Sequence, residues 1–172
     1  MEIVTHPNEV LRQEAEPIDE ITEEVRDLAD KMTETMFRED GIGLAAPQVG
    51  VGKKLVVINL EDEFYIMINP EIAEKSEEEE SMDEGCLSVP GVEAPVSRAK
   101  EVLVRGKNLD GEEVELEKEG LPARVFQHEV DHVNGTLFID RLSEAERSLT
   151  LREYRKAQEE DDEEETGSQS AI

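Results

Sequence analysis

The sequence predicts an α+β fold: mainly antiparallel sheets around a central metal-binding helix, with an N-terminal helix and a C-terminal helix. Three observations predict it. Apolar residues at Ile18, Ile21, Val25, Leu28, Met32, Met36 and Phe37 recur at three- and four-residue steps, the period of a helix with one buried face. Two β-branched runs, 54–60 and 64–69, flank Glu61-Asp62-Glu63, the pattern of a hairpin. Gln127-His128-Glu129-Val130-Asp131-His132 reads H-E-x-x-H, and residues four apart on a helix share a face. His128 and His132 therefore point the same way and can grip one metal ion, with Glu129 placed to act as a base.

In chain order, the first helix is expected over 18–39, its opening turns acidic as the helix dipole prefers. Asp40-Gly41-Ile42-Gly43 breaks it, and glycine allows another chain to approach closely. After the hairpin, Pro70 is expected to end the second strand. Glu77-Glu78-Glu79-Glu80 is expected on a solvated strand edge or loop. A loop over 84–91 carries Cys86 and closes at Pro90-Gly91. Strands follow over 94–105 and 112–118, joined by a turn at Asn108-Leu109-Asp110-Gly111. Gly120 and Pro122 open the metal helix and Asn134-Gly135 stop it. Arg98, Arg105 and Asp131 are candidates to support the site, with plain surface ion pairs as the alternative for each. The expected division is a catalytic domain over 1–142, a C-terminal helix over 143–158 and an acidic disordered tail over 159–172.

Two histidines leave a metal site incomplete. The chain has only three histidines, and none lies downstream of His132. Its single cysteine, Cys86, sits in Glu84-Gly85-Cys86-Leu87-Ser88, and a thiolate is a strong ligand for zinc or ferrous iron. A lone thiol is either a core filler or a functional group; beside a helix that lacks a third ligand, the ligand reading is preferred.

Composition sets outer bounds. The 172 residues suit one domain, and with no Trp its core must be aliphatic. One cysteine excludes an internal disulfide and fits a reducing compartment. Met1-Glu2-Ile3-Val4 offers no basic start, and no apolar run is long enough for a membrane span, so a cytoplasmic protein without membrane partners is expected. Asp and Glu number 45 against 18 Lys and Arg, a formal net charge of −27. Such a charge repels polyanions and argues against general nucleic-acid binding. It reads either as an acidic partner surface or as adaptation to a salty cytoplasm, and the even spread of acid along the chain favours the second.

Three motifs together resemble the peptide deformylase family. They are Gly41-Ile42-Gly43-Leu44-Ala45-Ala46-Pro47-Gln48, then Glu84-Gly85-Cys86-Leu87-Ser88, then Gln127-His128-Glu129-Val130-Asp131-His132. Thr5-His6-Pro7 and Gly135-Thr136-Leu137-Phe138-Ile139-Asp140 are also similar, so the resemblance covers roughly residues 1–143. It implies a hydrolase that removes the formyl group from formyl-methionine of newly made polypeptides and releases formate. It implies one divalent ion on Cys86, His128 and His132, ferrous iron in the native state, with Zn2+, Ni2+ or Co2+ able to substitute. Glu129 would move the proton. Gln48 and the Leu87 N–H would donate to the carbonyl oxygen. Gly43, Ile42 and Glu84 would lie against the peptide, and Leu121, Val125 and Ile42 would wall the methionine side chain, with Arg124 expected to turn away. A monomer is expected, with ribosome contact through the C-terminal helix, against which the acidic tail speaks. Two other classes stay open: a zinc endopeptidase, which needs a downstream His or Glu ligand, and a metal-stapled binding module, which needs a fourth ligand.

Overall fold

The computed structural model describes residues 1–164 of the chain. Helix α1 spans Glu23–Arg38 and α2 Gly120–Val133; α3 spans Glu144–Glu164. Seven strands run in order: β1 Gly43–Ala45, β2 Leu55–Asn59, β3 Phe64–Lys75, β4 Glu79–Cys86, β5 Val89–Ala99, β6 Glu101–Lys107 and β7 Glu113–Glu119. Five form one antiparallel sheet in the order β1-β2-β3-β6-β7, and β4 pairs with β5 in a separate antiparallel hairpin. The α+β architecture around a central helix is as the sequence predicts.

Three apolar clusters hold these layers together. In the first, Ala123, Val125, Phe126 and Val133 of α2 pack on Val56, Ile58, Met67, Val102 and Val104 of the large sheet. In the second, Cys86, Val89 and Val96 of the hairpin meet Leu11, Leu137, Phe138, Ile139 and Tyr154. In the third, Met32 and Met36 of α1 cover Leu44, Leu55, Val57 and Ile68. Helix α2 is thus buried from Ala123 through Val133, wedged between the sheet and the hairpin. That sandwiching gives its polar residues a dry environment.

Several boundaries differ from expectation, each for a local reason. The first helix begins at Glu23, not at residue 18. Thr22 caps it by accepting from the Val25 N–H, while Asn69 holds Ile18 outside the helix by accepting from its N–H (2.8 Å) and donating to its carbonyl (2.9 Å). Phe37, assigned to the buried face, is 52% exposed. Pro70 does not end its strand. The β3–β6 register shifts between Ile68 and Glu71, and this bulge takes up a residue without an N–H. The stretch 84–91 is not a loop: Cys86 pairs with Val89 across a tight Leu87-Ser88 turn that joins β4 to β5. Helix α3 packs on β5 and places Tyr154, 4% exposed, in the second cluster, so it docks on the hairpin rather than standing apart. It runs past Gln158 to Glu164; the rest of the expected tail lies outside the described residues.

Candidate metal centre

Helix α2 presents His128 and His132 one turn apart, as the spacing requires. Cys86 arrives from the end of β4. His132 Nε2 lies 3.2 Å from His128 Nε2 and 3.3 Å from Cys86 Sγ. Candidate donor atoms of all three residues fall within 4.8 Å of one another, and all three residues are buried. Among the described residues this is the group of His, Cys, Asp and Glu side chains that converges in this way. The structure therefore brings together the residues predicted from sequence as a ligand set. Among the described residues no His or Glu downstream of His132 joins them, and the endopeptidase reading is left without its further ligand there.

A cation fits what surrounds these atoms. Burial pushes the Cys86 thiol up, and burial, helped by the neighbouring Arg98 guanidinium, pushes His132 down. Both Glu129 oxygens are buried without a hydrogen-bond partner. Burial, reinforced by the charge of Glu84, raises the Glu129 carboxyl well above the usual carboxylate range. An apolar core would not assemble a thiol, two imidazoles and a bare carboxyl by preference. One thiolate and two imidazoles suit zinc, iron, cobalt or nickel, and leave a position open on the ion for chemistry.

Behind the ligands lies an ionic network that decides how His128 is held. His128 Nδ1 donates to Glu84 Oε1 at 2.8 Å, which leaves Nε2 with its lone pair toward the site. Arg98 Nε and Nη2 donate to the two oxygens of Glu84 at 2.6 and 3.0 Å, and Arg124 Nη1 donates to Oε2. Burial opposes the charge on Glu84, but the hydrogen bonds of His128 and Arg98 outweigh it and lower its carboxyl to about 2. Arg98 also donates to Asp131 at 2.9 Å, and Arg141 forks onto the same Asp131 at 2.7 and 3.1 Å. Arg98 and Asp131, weighed from sequence against plain surface pairs, are buried members of this network. Arg105 is the surface pair, with exposed Glu115.

The remaining candidates divide. Gln48 is fully buried; its Oε1 accepts from the Ala45 N–H at 2.9 Å, which turns Nε2 toward Cys86 Sγ (3.5 Å) and Ser88 Oγ (3.3 Å). Leu87 follows Cys86 at the turn of the hairpin. Gly43 abuts the Glu129 carboxylate. Val125 belongs to the first apolar cluster and partly buried Ile42 packs against that cluster, whereas Leu121 is 46% exposed at the start of α2. Glu84, expected against a peptide, instead spends both oxygens inside the protein. Arg124, expected to turn away, is 3% exposed and points into the network. A signal for Arg124 was present: it lies four positions before His128, on the same helix face.

Comparisons with known proteins agree with this geometry. A family model described as polypeptide deformylase matches residues 1–148. A peptide deformylase of Acidobacterium capsulatum is 50% identical over 91% of this chain and 94% of its own. One from Thermodesulfovibrio yellowstonii is 44% identical over 90% of this chain and 96% of its own. Among solved structures, a peptide deformylase from Legionella pneumophila superposes with a TM-score of 0.87 at 40% identity, covering 92% of this chain and 95% of that one. Another, from Synechococcus elongatus in complex with actinonin, gives 0.85 at 42% identity, covering 90% and 85%. With a match that takes in the Cys86 hairpin and the His128 helix alike, the chain belongs to the polypeptide deformylase family.

Proposed function

We propose that this chain is a metal-dependent hydrolase that removes the formyl group from formyl-methionine at the start of newly made polypeptides and releases formate. The observation that carries the reading is the convergence of Cys86, His128 and His132 beside the unpartnered, buried Glu129 carboxylate. Cys86, His128 and His132 hold one divalent ion. Such an ion, when bound, polarises the formyl carbonyl and makes water nucleophilic near neutral pH.

The protein's own groups do the rest. Glu129 accepts the proton of the attacking water and delivers it to the leaving amine nitrogen. A carboxyl with no hydrogen bond of its own, its hold on a proton strengthened by burial, is suited to both halves of that transfer. Gln48 Nε2, held by the Ala45 contact, and the Leu87 N–H donate to the oxyanion that develops on the formyl carbon. Because Gln48 is oriented before substrate arrives, little reorganisation is needed as charge develops. Ile42 and Gly43 lie along the peptide, and Ile42, Val125 and Leu121 wall the methionine side chain. Glu84 acts on His128 and not on the substrate.

The ion is ferrous iron, for which Zn2+, Ni2+ or Co2+ can substitute on the same mixed sulfur and nitrogen donors. The protein acts as a monomer in the cytoplasm; no described helix is long and apolar enough to cross a membrane. Contact with the ribosome runs through α3, where Arg147, Arg152, Arg155 and Lys156 cluster ahead of the acidic residues that end it. The net charge of −27 is an adaptation to high salt.

The test is formate release from a formyl-Met peptide, with acetyl-Met and internal-amide peptides as controls and metal content measured on protein purified without oxygen. Release confined to the formyl peptide is the expected result. Cleavage of internal amides with the formyl group spared would overturn the reading.

A further inference from the structure

Helix α2 carries two of the three ligand residues and the β4–β5 hairpin carries the third. The ligand set exists only while these two elements keep their separation. Arg98 supplies one tie: it belongs to β5 and reaches across to Asp131 on α2, three positions after His128. Arg124 runs the other way. It belongs to α2, four positions before His128, and its guanidinium enters the hairpin. There Nη1 donates to Glu84 Oε2 and to the Val96 carbonyl (2.9 Å), and Nη2 donates to the Glu80 carbonyl (2.7 Å). Those carbonyls lie on opposite strands of the hairpin, β4 and β5.

We propose that Arg124 is a positioning residue for the metal site, the tie that fixes the N-terminal half of α2 to the Cys86 hairpin and thereby sets how His128 and Cys86 meet. The inference rests on the deformylase reading for its activity arm only. A guanidinium is needed because three acceptors in different directions must be met at once from a buried position. Arg124 meets them from two nitrogens of one planar fork, Nη1 and Nη2, a spread that the single nitrogen of an ammonium does not reproduce although it too carries three N–H groups. Arg124 also completes Glu84, whose oxygens then hold His128 on one side and Arg98 on both. Without it, Oε2 keeps only Arg98, the carboxylate is free to tilt, and the Nδ1 contact that aims His128 is no longer fixed. Two backbone carbonyls of the hairpin lose their partner at the same time, which loosens the strand that ends in Cys86.

The test uses the full chain loaded with Ni2+, with Arg124→Lys and Arg124→Met beside the parent, and Arg105→Met as a control at an exposed pair. Loss of Ni2+ into excess EDTA is followed over time, and kcat and KM are measured on a formyl-Met peptide. Both Arg124 variants are expected to lose Ni2+ about tenfold faster than the parent or more, and to lose about tenfold in kcat with KM within about twofold. The Arg105 variant should match the parent in each. The lysine variant is the decisive one, since it keeps the positive charge and the stem and removes only the fork. Recovery of parental Ni2+ retention and kcat by Arg124→Lys would overturn the proposal, leaving Arg124 a charge-balancing residue. Parental retention in Arg124→Met would overturn it as well. Should the methionine variant not fold, the lysine variant alone decides. If the parent releases no formate, the functional reading fails while the Ni2+ time course still decides the role of Arg124.

Discussion

Gly43 and Glu129 touch so closely that no side chain fits between them. A Cβ built on Gly43 would stand 2.4 Å from Glu129 Oε2 and 2.9 Å from its Cδ. Atoms at that separation must move. The first glycine-rich motif therefore bears on the metal helix through the backbone, by leaving room for the carboxylate assigned to proton transfer.

Gly43→Ala should accordingly displace Glu129 without touching the ligand set. The expected outcome is a metal content equal to the parent with kcat lowered about 100-fold, the scale on which a misplaced catalytic group is felt. Metal analysis and formate release on the same preparation check it. An alanine variant with parental kcat would mean that the carboxylate has room to relax, and that its position in the structure is not the one used.

Glu129→Ala and Cys86→Ala should fail in different ways. In the proposed mechanism Glu129 moves a proton and does not coordinate, so its loss should leave the metal in place and lower turnover by roughly two to four orders of magnitude. Cys86 is one of the three residues whose donor atoms converge, and as a proposed ligand its loss should lower metal occupancy along with activity. Both variants need metal content and formate release side by side. Full metal in the Cys86 variant would dismiss the three-residue ligand set, and full rate in the Glu129 variant would dismiss the proton-transfer role.

Much of the site was legible because its spacing is local. His128 and His132 are four positions apart, and any helix brings them together. The network behind them was not, because its pairs are distant in sequence: Arg98 meets Glu84 across 14 positions, and Arg124 meets Glu84 across 40. A buried arginine and a surface arginine look alike until the register of the strands is known. Boundaries failed where a remote side chain competes with local preference. Asn69 binds Ile18 across 51 positions and keeps it out of α1. Pro70 reads as a stop and proves to be a bulge, since only the pairing of β3 with β6 shows that the ladder resumes at Glu71. The docking of α3 depends on the same kind of contact. Tyr154 Oη donates to the His6 carbonyl, at 2.7 Å, across 148 positions.

The ionic network makes a prediction about acid. Glu84 is lowered from an ordinary value of 4.5 to about 2 by its partners. A carboxyl depressed in the folded state stabilises the fold above its unfolded value, and that contribution is lost as pH falls through the folded one. The window is therefore pH 4.5 down to about 2, and the loss on the order of 3 kcal/mol. Thermal midpoints of metal-free protein across this range should fall, and Glu84→Gln should show a shallower fall from a lower start. Parallel curves for parent and variant would place the acid sensitivity elsewhere.

Salt should act on the large sheet most clearly where like charges face each other. Along β7, Glu113, Glu115, Glu117 and Glu119 are all exposed, and the register with β6 decides what each one meets. Glu113 faces Lys107 and Glu115 faces Arg105, but Glu119 lies directly opposite Glu101. Like charges opposite each other on antiparallel strands are destabilising. Lys75 and Lys118 line the same groove as the pair, but across the chain 18 Lys and Arg stand against 45 Asp and Glu. Screening shortens from about 10 Å at 0.1 M salt to about 3 Å at 1 M, so the repulsion should fade over that range. The thermal midpoint of the parent should climb from low to molar potassium chloride. Glu101→Lys should raise the low-salt midpoint by an amount equivalent to about 0.5 kcal/mol, the scale of one cross-strand pair, and this advantage should shrink as salt is added. A parental midpoint that is flat or falling across the series would sink the salt-adaptation reading. A Glu101→Lys gain that persists unchanged in molar salt would show that something other than the facing charges sets the stability of this edge.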